Sequence, residues 1–109
     1  MDCADKTYHQ NEFGFSRKCT CHGAVHINFG NVSLLLSKPQ VSDFTEYIGE
    51  ALISECGVDD PNERCIYLPT RDYTLMFAMT YQELEYLYEI LDQTLLMMEV
   101  DDALTQKER

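Results

Sequence analysis

The chain has 109 residues, enough for one domain with a modest core. Hydrophobic residues make up 45% of it, which excludes disorder throughout, but with no Trp and only 5 Phe the core must rely on Leu, Ile, Val, Met and the 7 Tyr. The formal net charge is -11 and no Lys or Arg lies between Arg71 and Lys107, which argues against nucleic acid, whose phosphates need clustered cations, and against an anionic membrane surface.

In chain order, residues 1–12 are polar and aperiodic and are expected to form a flexible lead-in, without the apolar run of a secretion signal. The cytoplasm is the expected compartment, and five cysteines (Cys3, Cys19, Cys21, Cys56, Cys65) fit reduced thiols there better than an even disulfide framework. Phe13 and Phe15 open an extended segment running to Cys21. Residues 24–29 alternate, with Val25, Ile27 and Phe29 on one face and His26 and Asn28 on the other. Gly30-Asn31 supplies a tight hairpin turn, and Val32, Leu34 and Leu36 form the return strand.

Ser37-Lys38-Pro39-Gln40 has the form of a capping box, with proline tolerated in the first turn. The helix after it buries Val41, Phe44, Ile48, Ala51 and Leu52, and Gly57 offers a left-handed stop. A polar connection, Asp59-Asp60-Pro61-Asn62-Glu63, leads to a second extended pair, residues 65–68 and 73–79, around the turn Pro69-Thr70-Arg71-Asp72. A second capping box, Thr80-Tyr81-Gln82-Glu83, starts a helix predicted over residues 81–101. Its stripe is Leu84, Leu87, Tyr88, Leu91, Leu95 and Met98; Tyr86, Ile90 and Met97 fall outside it and widen the apolar arc to about 200°.

An offset of 43 residues sets Leu34 over Phe77, Ser37 over Thr80, Phe44 over Leu87 and Ile48 over Leu91, so the halves follow one plan of strand, turn, strand, capped helix. The expected fold is α+β: an antiparallel sheet of four to five strands with two helices on one face, a (ββα)×2-like arrangement over residues 13–104, followed by a frayed end at 105–109. The runs Phe29-Gly30-Asn31-Val32-Ser33-Leu34 and Leu68-Pro69-Thr70-Arg71-Asp72-Tyr73, with Tyr81-Gln82-Glu83-Leu84, resemble a family of short uncharacterised bacterial proteins, mostly from Bacteroidota, with a domain of unknown function. The likeness covers nearly the whole chain. It implies a single-domain, stand-alone bacterial protein and carries no activity.

Three functional readings follow. First, one sheet cannot cover so wide an arc, so the last helix is expected to pair with a second copy through Tyr86, Ile90, Leu96 and Met97, making a non-enzymatic homodimeric interaction module. Second, Cys19, Cys21 and His26 have metal-ligand character and point to zinc, since alternation puts both sulfurs on one side of a strand. A fourth ligand would come from Cys65 or His22, or from Cys3 or His9, although the Cys spacing is short and no second Cys pair exists. Third, Cys19 or Cys21 beside His22 or His26 can be drawn as a thiol nucleophile and base, with no further catalytic motif in support. Glu85, Glu89 and Asp92 are a solvated helix strip, Asp59-Asp60 lacks the pattern of a calcium loop, Arg71 belongs to turn chemistry, and Met76, Met97 and Met98 are core filling.

Overall fold

The structure, a computed structural model, describes residues 6–19, 24–54, 66–70 and 74–107, with side chains as far as Leu104. Strands β1 (Lys6–Gln10), β2 (Gly14–Cys19), β3 (Ala24–Phe29) and β4 (Val32–Leu36) precede helix α1 (Lys38–Ser54). Strands β5 (Ile66–Pro69) and β6 (Met76–Met79) precede helix α2 (Tyr81–Lys107).

Alternation decides which way β3 faces: Val25, Ile27 and Phe29 are buried, while His26 and Asn28 turn to the opposite face. Gly30, with φ 55°, makes the positive-φ turn that returns the chain as β4, pairing Phe29 with Val32, Ile27 with Leu34 and Val25 with Leu36. The four strands form an antiparallel meander in the order β1-β2-β3-β4. Both predicted capping boxes are present. Ser37 N–H donates to Gln40 Oε1 at 2.9 Å and Gln40 N–H to Ser37 Oγ at 3.4 Å; Thr80 N–H donates to Glu83 Oε1 and Glu83 N–H to Thr80 Oγ1, each at 3.0 Å.

α2 lies against β1, β2 and β3 and alongside α1, which borders β4. The helices run in opposite senses, since Lys38 near the start of α1 pairs with Asp102 near the end of α2. One core joins Val25, Ile27 and Phe29 of β3, Val41 and Ile48 of α1, Leu84, Leu87, Ile90, Leu91 and Met98 of α2, and Ile66, Leu68 and Met79 of the β5–β6 hairpin. The polar groups it contains are matched: the hydroxyls of Ser16 and Thr94 hydrogen-bond across β2 and α2, and Thr94 also bonds the carbonyl of Ile90. Phe29 centres an aromatic group, with Phe13 at 5.7 Å, Phe44 at 6.4 Å and Phe77 at 5.6 Å between ring centroids.

The α+β class and the two strand-strand-helix units stand, with three differences. Residues 6–10, expected in the flexible lead-in, form β1, so all four strands of the main sheet precede α1. β5 and β6 are a two-stranded sheet of their own rather than a continuation of that sheet. α2 continues to Lys107, through the first residues of the expected frayed end, because its last turns are tied down by ion pairs to Lys18 and Lys38. The proposed stop at Gly57 lies outside the described residues. None of the described helices is long and apolar enough to cross a membrane.

Candidate functional site

The outward face of α2 changes chemistry along its length. Its first turns present Glu85 and Asp92 to solvent, as expected of a solvated strip, while Glu89, also exposed, is bonded by His9 and Asn11. Beyond Asp92 the same side presents Leu96, Val100 and Leu104, exposed to 51%, 41% and 54% and one helical turn apart. Three large aliphatic side chains in a row on a solvated helix are a patch rather than scattered surface residues.

The inward side of the same turns is fixed by charge. Asp101 lies against the sheet with its side chain 16% exposed, accepts a hydrogen bond from Tyr8 Oη at 2.5 Å, and pairs with Lys18 at 3.1 Å and Lys6 at 3.7 Å. Beside it, Asp102 pairs with Lys38 of α1 at 2.6 Å. Around a helix of 3.6 residues per turn Leu96 lies about 140° and Val100 about 100° from Asp101, so with Asp101 turned inward both stand clear of the sheet.

The Tyr8 hydroxyl, followed by Lys18, holds the Asp101 carboxyl below its ordinary range against the opposing effect of burial. Its contribution to stability is therefore complete above the unfolded value of about 4 and is lost as pH falls through the lowered value. Tyr8 moves the other way, raised by burial and then by its bond to Asp101 and the nearby carboxylates. Its contribution is complete below about 10 and is lost as pH rises through the raised value. Asp101→Asn should cost about 1–2 kcal/mol at neutral pH and progressively less as pH falls below about 4, read from urea unfolding. A cost independent of pH would show that the ionised carboxylate is not what holds the helix end.

Of the four residues expected at a helix contact, Leu96 is well exposed and Met97 is half-buried beside it. Tyr86 is half-buried and its hydroxyl donates to Glu12 at 3.0 Å, while the Asn11 side chain reaches the Tyr86 carbonyl. Ile90 is corrected: it is 0% exposed and belongs to this chain's own core. The cause is β1, which shelters the side of α2 that the other strands leave open; His9 meets Glu89 at 2.6 Å and Tyr8 meets Asp101. Val100 and Leu104 were missed. The signal was present, since they continue the spacing from Leu96 by four residues each.

Cys19 is buried on β2 and His26 half-buried on β3, where Cys19 pairs with Ala24 and Arg17 with His26. The register therefore puts Cys19 and His26 on the outer face, away from the core side chains of β3. Cys21, His22, Cys65 and Cys3 lie outside the described residues, and among the described residues no three His, Cys, Asp or Glu side chains gather as a metal site. Met98 fills the core as expected, whereas Met76 is 50% exposed because β6 turns Phe77 and Met79 inward. Neither the comparison with characterised proteins nor that with solved structures returned a match. A family model described as a family of unknown function, DUF6686, matches residues 1–108, and the chain belongs to that family.

Proposed function

We propose that this protein is a non-enzymatic cytoplasmic interaction module that forms a homodimer through the last turns of α2. The row Leu96, Val100 and Leu104 supports the reading, since water contact at all three sacrifices about 1 kcal/mol apiece relative to burial. Met97 flanks this row, whereas Tyr86, tied to Glu12, stands among the acidic first turns and outside the contact. An antiparallel pair of helices with its two-fold axis at Val100 would place Leu96 of one copy against Leu104 of the other, a closed and self-complementary contact. It also separates the acidic turns of the two copies, at Glu85 to Asp92, by more than their own helix diameter.

Charge placed in the row tests this. Leu96→Glu or Leu104→Glu should weaken association at least about 100-fold, because a carboxylate desolvated against the other copy's leucine has no partner in such a contact. Ile53→Glu, at the end of α1 and 76% exposed, should leave association unchanged. Sedimentation velocity over a dilution series reads both, and equal effects from all three variants would remove the assignment to α2.

A further inference from the structure

The apolar stripe that packs α2 onto the sheet ends at Met98: of the described side chains after it, Glu99 to Leu104, none is buried. Local chemistry does not account for a helix there either. Neither Asp101 nor Asp102 has a basic residue three or four places away on α2, and Glu99 stands three places before Asp102 as a like charge. Negative charge toward a helix C-terminus also opposes the helix dipole. An end of this kind frays unless other elements hold it.

What holds it is a set of polar and charged side chains from three other elements. Asp101, turned to the sheet, takes the Tyr8 hydroxyl and Lys6 of β1 and Lys18 of β2. Asp102, about 100° round the helix, takes Lys38 of α1. All three lysines are partly open to water, so each pair is weak singly and is screened by salt. Releasing them exposes no buried apolar side chain of residues 99–104, and the core up to Met98 is left as it was.

We infer that residues 99–107 of α2 are a charge-held latch that gates the contact row. Docked, they extend the helix and keep Val100 and Leu104 in line with Leu96; released, they fray back to Met98 and leave Leu96 alone. The gate rests on the helix pairing proposed above, whereas the latch is a property of the single chain. Because only the docked end presents the whole row, pairing and docking favour one another, and ionic strength or loss of charge at either carboxylate opposes both.

The latch is read from Cα secondary chemical shifts of the full-length Leu96→Glu chain, in which pairing contributes nothing. These should be helical through residue 104. With Asp101→Asn and Asp102→Asn added, they should fall to about a third over residues 99–104 and stay unchanged over residues 84–96. Local effects predict the opposite sign, since removing negative charge toward a helix C-terminus favours the helix. Lys18→Gln with Lys38→Gln, which leaves the sequence of α2 unaltered, should produce the same loss. The gate is read by sedimentation velocity with Leu96, Val100 and Leu104 all in place. Both copies must be docked to pair, so a docked fraction of about a third weakens association by about its square, roughly 10-fold, in Asp101→Asn with Asp102→Asn. Helical shifts retained through residue 104 in either neutralised chain would overturn the latch, as would a loss spread evenly along α2. Lost shifts with unchanged association would overturn the gate. A single-chain mass for the unaltered protein at every concentration would overturn the pairing and the gate with it, a result distinct from any change in the shifts.

Discussion

Gly14→Ala is expected to cost about 3 kcal/mol or more, enough to remove much of the stability of a domain this size. A methyl group at Gly14 would sit 1.9 Å from the Asn28 carbonyl oxygen and 2.8 Å from Phe29 Cα. Both are backbone atoms of the neighbouring strand, and they cannot withdraw without unzipping β2 from β3. The approach is set by the β1–β2 turn, where Asn11 Oδ1 accepts the N–H groups of Phe13 and Gly14, and Asn11 N–H donates back to the Gly14 carbonyl. Gly49 provides the contrast. Its added methyl would meet a Tyr88 ring carbon at 3.1 Å, a side chain able to shift, and alanine is favoured over glycine inside a helix by about 1 kcal/mol. Urea unfolding should place Gly49→Ala within about 1 kcal/mol of the parent and Gly14→Ala far below it. Comparable losses would mean that β2 and β3 do not approach as described.

The second large effect separates the inside of α2 from its outside. Ile90→Ala should cost about 2–5 kcal/mol, because Ile90 is 0% exposed and its removal leaves a cavity among packed neighbours. Leu96→Ala, 51% exposed, should change monomer stability by no more than about 0.5 kcal/mol when measured at concentrations where copies are dissociated. The two residues differ little in size and stand on one helix, so propensity cannot explain a difference of that order. A reversal of the two costs would place the helix with its other face to the sheet.

Local signals in this chain were strong where one residue type determines one geometry. Ser37 with Gln40 and Thr80 with Glu83 marked both helix starts, and Gly30-Asn31 marked the turn, because each satisfies backbone groups within four residues. β1 was not legible. Lys6-Thr7-Tyr8-His9-Gln10 has one large apolar side chain and is irregular between Thr7 and His9, so neither alternation nor β propensity identifies it; it is a strand because β2 and α2 provide partners. Missing that strand made α2 look less sheltered than it is and put Ile90 at a contact. The division into two sheets was equally hidden, since the sequence of β5 and β6 specifies a hairpin and not its neighbour. For the candidate site, Leu96 was identifiable by its place on the helix and Val100 by continuing its spacing, while Leu104 stands beyond the expected helix end at 101, on a turn kept helical by tertiary pairing of Asp101 and Asp102.

The mass of the unaltered protein in solution, followed by light scattering from micromolar concentrations downward, bears most directly on the row Leu96, Val100 and Leu104. Self-association predicts twice the 12.6 kDa of the chain, falling to the single-chain value on dilution and in Leu96→Glu. A mass of 12.6 kDa throughout the concentration range would contradict it.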